Sequence, residues 1–172
     1  MKLNIPSNTE YLTWQDSINH YIDDMSQLTI LETGIGKGSE FLVNKFKHVY
    51  SFESAWDREW YDLCTQQSSS NWNTMYYDLN RTDIYIDALT NFVDLKKIDI
   101  ALVDHACKGD NHSDKCRRGD IAKYFMKIGI PNIFVHDYPG GNYFWDVSNS
   151  VVDEYGYDIQ PNKYKTGYYK KR

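Results

Sequence analysis

Apolar positions along the chain alternate between two spacings. Over residues 10–25, Tyr11, Trp14, Ile18, Tyr21, Ile22 and Met25 recur at three- and four-residue steps, which places them on one face of a helix. Residues 28–31, Leu-Thr-Ile-Leu, form a short apolar run that predicts a buried strand. Helical spacing returns over residues 39–47 with Phe41, Leu42 and Phe46 inward, and residues 48–52 predict a second strand. A helix over 57–67, a strand over 72–77, a helix over 83–95 and a strongly apolar strand over 98–103 follow. Beyond a polar loop at 107–115, the pattern predicts a helix over 117–128. A fifth strand over 132–135 is entered through Gly129 and Pro131. A helix over 144–155 and two closing strands, 157–160 and 166–170, flank the turn at Pro161-Asn162.

Apolar strands separated by helices imply an α/β fold with a mostly parallel sheet covered on both faces. The two closing strands add an expected antiparallel C-terminal hairpin. The 172 residues suffice for one domain with a real core. No repeat or linker divides them. The expected organisation is an N-terminal helical segment (1–27), a ligand-binding core (28–138) and a closing helix with strands (139–172). In such sheets ligands bind at the carboxyl ends of the strands, near the switch in strand order.

Charge narrows the partners. The formal net charge is −5, but the last ten residues hold Lys163, Lys165, Lys170, Lys171 and Arg172 and no acid. The first 162 residues therefore carry 14 basic against 24 acidic side chains, a formal −10. Phosphate contacts need clustered Lys and Arg, so an acidic body argues against a nucleic-acid groove. The basic end reads as the solvated end of a last strand. Cys64, Cys107 and Cys116 are too few and odd in number for a disulfide framework. No apolar run reaches the roughly 18 residues of a membrane span, and the first residues lack a signal-like apolar stretch. The expectation is a cytoplasmic protein.

The candidate chemistry begins where the first strand ends, at Glu32-Thr33-Gly34-Ile35-Gly36-Lys37-Gly38-Ser39. Glycines at alternate positions allow a tight turn and close approach of a ligand, and the next helix offers its N-terminal N–H groups. The second strand leads to Glu53, 19 residues after Gly34. An acid at roughly that distance is the expected acceptor for ribose hydroxyls.

Glu32-x-Gly34-x-Gly36-x-Gly38 resembles motif I of the class I S-adenosylmethionine (SAM)-dependent methyltransferases, over roughly residues 28–138. The resemblance implies a Rossmann-like SAM-binding domain. Glu32 would hold the methionine ammonium, Gly34 and Gly36 would pack against methionine and ribose, and Gly38, Ser39 and Asp104 would complete the cofactor-binding set. Glu53 would take the ribose hydroxyls. Ser54, Ala55 and Trp56 would border the adenine, and Asp78 would accept from its amino group. Carboxylates suit the cationic sulfonium and ammonium of SAM better than a diphosphate.

Asp104-His105 follow the fourth strand and His136-Asp137 the fifth, which brings four candidate catalytic residues to the same sheet edge as the glycine turn. Two patterns stand open. In one, Asp104 and Asp137 bind Mg²⁺ or Ca²⁺ through hard oxygen ligands. That pattern resembles the catechol O-methyltransferase group, to whose Asp-His-x-Lys segment Asp104-His105-Ala106-Cys107-Lys108 is similar. In the other, Ile133-Phe134-Val135-His136-Asp137 resembles the glucuronoxylan 4-O-methyltransferase-like group, after a helix that contains Arg118. There an acid or His is the general base without a metal. The loop 105–116 carries His105, Cys107, Asp110, His112, Asp114 and Cys116. Its spacing matches no CxxC zinc pair, and a polar substrate loop is expected. Residues 139–142 form a second loop, and Tyr138, Tyr143, Phe144 and Trp145 beside it are candidates for an acceptor wall.

The expected function is methyl transfer to an oxygen of a small polar or sugar-like acceptor. The Asn/Asp-Pro-Pro-Tyr/Phe segment common among enzymes that methylate nucleic-acid nitrogens is not present after the fourth strand. A non-catalytic binder of SAM or S-adenosylhomocysteine is one alternative. A nicotinamide-dependent oxidoreductase is another, although its G-x-G-x-x-G spacing differs from this turn.

Overall fold

A computed structural model describes residue 2 and residues 13–54, 58–77, 82–105, 117–136, 147–160 and 165–172. Among these, the chain forms α1 (Thr13–Tyr21), β1 (Thr29–Thr33), α2 (Ser39–Lys45), β2 (His48–Ser54), α3 (Arg58–Cys64) and β3 (Trp72–Tyr77). It continues with α4 (Thr82–Phe92), β4 (Ile100–Val103), α5 (Arg118–Ile128), β5 (Asn132–His136), α6 (Asn149–Glu154), β6 (Tyr157–Gln160) and β7 (Thr166–Lys171).

The strands build one seven-stranded sheet in the order β3-β2-β1-β4-β5-β7-β6. The first five strands are parallel. β7 runs antiparallel to both β5 and β6, so the expected closing hairpin is present. Alternate residues of a strand face opposite sides, and the sheet buries both. Ile30, Val49, Ile100, Leu102 and Phe134 pack with α1, α2 and α3 through Trp14, Ile18, Leu42, Phe46 and Cys64. Leu31, Phe52, Ala101, Val103, Ile133 and Val135 pack with α4, α5 and α6 through Tyr85, Leu89, Phe125 and Val152. Burying each large apolar side chain contributes about 1.5–3 kcal/mol, and both faces must be covered for a parallel sheet to persist.

Several boundaries differ from the sequence-based expectation, each for a local reason. The first helix stops at Tyr21 rather than at residue 25, where Asp24 accepts from Ser26 N–H and turns the chain. β4 begins at Ile100 rather than residue 98. Residues Leu95–Lys97 wind into a 3-10 turn capped by the Asp94 side chain, and Asp99 then receives Thr29 N–H. The helix predicted over 144–155 is α6, Asn149–Glu154. Its predicted first residues, 144–146, lie outside the described residues. α5 ends at Gly129, whose φ of 86° suits a left-handed C-terminal cap. No described helix is long and apolar enough to cross a membrane.

β1 lies between β2 and β4. The chain order reverses at the β1–β4 boundary, and that is where such sheets open a crevice at their carboxyl edge.

Candidate active site

The glycine turn leaves β1 at this boundary. Gly34 has φ +95°, and its N–H donates to the Phe52 carbonyl at 2.8 Å. A Cβ at this position would stand 2.9 Å from the Asp104 carbonyl oxygen and 3.0 Å from the His105 Cα. Only glycine fits there, because the backbone at the end of β4 presses on the turn. Gly36 differs. A Cβ there would meet only Trp60, at 4.0 Å, so space remains over that part of the turn. Trp60 Nε1 donates to the Ile35 carbonyl at 2.8 Å and steadies the loop. Gly38 caps α2 without a side-chain hydrogen bond.

Two buried carboxylates hold the turn from below. Glu53, near the end of β2, accepts from Ile35 N–H through Oε2 at 2.8 Å. Glu32, in β1, is 2% exposed. Ser39 Oγ lies 3.0 and 2.8 Å from its two oxygens, and Ser51 Oγ donates to Oε2 at 2.6 Å. Trp72 Nε1 donates to Ser51 Oγ at 2.8 Å, and Gly36 N–H to Ser39 Oγ at 3.2 Å. A continuous chain of hydrogen bonds thus joins β3 to the glycine turn through Glu32. Burial pushes the Glu32 carboxyl up to about 8; the two serines pull it down, and neighbouring Asp104 and Glu53 push it further up.

The ends of β4 and β5 meet beside the turn. Asp104 Oδ1 accepts from His136 Nδ1 at 2.7 Å and lies 3.2 Å from Arg118 Nη1. Arg118, the first residue of α5, donates from Nε to the His105 carbonyl at 2.8 Å. Its Nη1 and Nη2 donate to the carbonyls of His136 and Asp104, each at 3.0 Å. One planar fork therefore fastens two strand ends. His105 is buried; its Nδ1 lies 2.9 Å from Thr33 Oγ1, and its ring packs against Tyr85.

The structure thus brings together Glu32, Gly34, Gly36, Gly38, Ser39, Glu53, Asp104, His105 and His136 at one edge. Ser54 closes β2 opposite Tyr77. Trp56, Asp78 and Asp137 lie outside the described residues, as do all of residues 106–116 and 137–146. No group of three or more metal-ligating side chains forms among the described residues, and the Oδ1 of Asp104 already faces a guanidinium. The sequence singled out neither Ser51 nor Thr33, although a hydroxyl inside an otherwise apolar strand is a signal of a buried partner. Arg118 appeared only within a resemblance, because nothing in its local sequence separates it from Arg117.

The strand order and the antiparallel seventh strand give the topology of the class I SAM-dependent methyltransferase fold. Among solved structures, the chain is similar to 23S rRNA methyltransferase ErmE, with a TM-score of 0.51 and 12% sequence identity over 98% of this chain and 70% of that one. No protein-family profile matches the sequence, and no curated protein matches it either.

Proposed function

We propose that this protein binds SAM over the 34–38 turn and transfers its methyl group to an oxygen of a small polar or sugar-like acceptor. The observation that carries the reading is the pairing of an open glycine turn with Glu53, held at the tip of β2 by Ile35 N–H at the switch in strand order. The residues suit the cofactor. A Cβ at Gly36 would touch little, and the acids beside the turn, Glu32 and Glu53, would complement a cation.

Glu53 would hold the ribose hydroxyls, and the turn would hold the methionine portion. Bound SAM supplies an electrophilic methyl group on a sulfonium. Asp104 and His136, paired at the carboxyl edge of the sheet beside the turn, would supply the base for an acceptor hydroxyl. An ionised carboxylate can only accept, so Asp104 would accept a hydrogen bond from Nδ1–H and leave the lone pair of a neutral imidazole on Nε2. That is the form in which His136 removes a proton from an acceptor oxygen. Arg118 holds the two strand ends at a fixed spacing, and positioning supplies most of the acceleration in such a transfer.

ErmE acts on 23S rRNA; a polynucleotide acceptor suits this chain poorly. Its first 162 residues are formally −10, and Asp104-His105-Ala106-Cys107 follows β4 where a nucleic-acid amino methyltransferase often has Asn/Asp-Pro-Pro-Tyr/Phe. The metal-free pattern is favoured over the catechol-like one because Arg118 and His136 already engage Asp104.

Calorimetric titration of the metal-free protein with SAM, S-adenosylhomocysteine and NADH tests the reading. Binding of both sulfur ligands but not NADH, lost in Glu53→Ala, is expected. Absence of binding by either sulfur ligand refutes it. An acceptor screen with and without Mg²⁺ then follows.

A further inference from the structure

Glu32 sits in unusual company for a carboxylate. In the sheet it pairs with Ser51 of β2 on one side and Leu102 of β4 on the other. Its hydrogen-bond partners, Ser39 and Ser51, are neutral hydroxyls, and each hydroxyl carries only one proton to share among about four acceptor positions. No cation pairs with it among the described residues. The charged groups facing it are Glu53 of β2 and Asp104 after β4, both of its own sign. The Cys64 thiol of α3 is also within electrostatic reach and stays neutral, pushed up to about 12 by burial and by these two glutamates. Arg118 is committed to Asp104 and to three carbonyls.

Such a carboxyl is stable in two ways: protonated, or ionised beside an incoming cation. The hydrogen-bond chain from Trp72 through Ser51, Glu32 and Ser39 to Gly36 connects that choice to the turn itself.

We propose that Glu32 is a proton-exchanging specificity residue of the cofactor site. It is neutral in the free protein and gives its proton to solvent when a ligand's ammonium group settles over the turn. The site thereby selects ligands that carry an amino-acid cation over those that carry only the nucleoside. The ammonium keeps its three protons, the Glu32 O–H bond breaks, and one proton appears in the buffer. This rests on the reading of the site as a SAM site. The carboxyl's raised position near 8 sets the window: at pH 7 most free molecules hold the proton. Affinity for an ammonium ligand then rises by up to about tenfold per pH unit below 8 and flattens above it.

The test is titration calorimetry at pH 7 in phosphate and in Tris, whose ionisation enthalpies differ, so that the heat difference counts protons. The probes are S-adenosylhomocysteine, which carries the ammonium, and 5′-methylthioadenosine, which does not. The wild type is expected to release close to one proton per S-adenosylhomocysteine and none with 5′-methylthioadenosine. Glu32→Gln, which keeps the size and an acceptor oxygen, is expected to bind S-adenosylhomocysteine with no proton release and no rise in affinity between pH 6 and 8. Tight binding of S-adenosylhomocysteine without proton release, or equal release in Glu32→Gln, overturns the proton exchange and leaves the SAM reading standing. No binding of either probe by the wild type overturns both.

Discussion

Replacing Arg118 by Met removes every donor of the guanidinium but keeps a long apolar stem. Three carbonyls, those of Asp104, His105 and His136, lose donors at 2.8–3.0 Å, and Asp104 Oδ1 loses a cation 3.2 Å away. A hydrogen bond from a charged donor contributes about 1.5–3 kcal/mol net. Three such bonds do not add in full, because they share one side chain and one site. Arg118 is also 11% exposed, so water can reach part of the gap. The expected cost is therefore about 3–5 kcal/mol. Against a typical domain stability of about 5–15 kcal/mol, the variant folds but is fragile. At about 2–4 °C per kcal/mol for a chain of this size, its melting temperature falls by roughly 6–20 °C. Arg118→Lys keeps the charge as a single point and cannot reach three carbonyls at once, so it recovers only part of the loss. Urea denaturation with a thermal scan measures both variants. A loss below about 1 kcal/mol in Arg118→Met would show that β4 and β5 hold their ends without the fork, and the positioning role assigned to Arg118 would fall with it.

The two glycines of the turn give opposite expectations. Gly34→Ala meets a positive φ and a backbone oxygen at 2.9 Å, and its expected cost is about 2–5 kcal/mol, read by denaturation. Gly36→Ala meets only Trp60 at 4.0 Å; stability is expected to change by less than about 1 kcal/mol, while affinity for S-adenosylhomocysteine falls at least tenfold. Equal affinity in that variant would place the ligand elsewhere. For Glu32 the folded-state carboxyl is raised from 4.5 to about 8. The contribution of Glu32 to stability is full below about pH 4.5 and is lost progressively as pH rises toward 8. Glu32→Gln escapes that loss, so the ligand-free variant gains on the wild type across this window. At about 1.4 kcal/mol per tenfold change in proton affinity, the gain is on the order of 4 kcal/mol at pH 8. A difference that does not change with pH between 4.5 and 8 would refute the assignment.

The architecture was legible because its signals are short-range. The strands 72–77 and 157–160 match β3 and β6 end for end, since each is a compact run bounded by turn residues. The glycine turn and Glu53 could also be read, because strand, turn and acid follow one another within about twenty residues. Apolar periodicity could not reveal where α1 stops, because a short Asp24–Ser26 turn, rather than a change of period, ends that segment. The site shows the same division more sharply. His105 and His136 both sit at strand ends, as their sequence positions implied, yet they meet different partners. His136 reaches Asp104, whereas His105 lies beneath Thr33 and against Tyr85. Arg118 serves carbonyls that any sequence would offer, so residue type carries no trace of its task. Glu32 is the extreme case. A carboxylate beside a glycine turn announces a cation, but its behaviour before the cation arrives depends on what it touches. Had β1 slipped by one residue against β2, Glu32 would stand beside Tyr50 or Phe52 instead of Ser51. The parallel register sets it opposite a hydroxyl, which accepts from Trp72 and donates to the acid. Strand pairing, more than the motif, therefore makes this glutamate a proton store that a cationic ligand can empty.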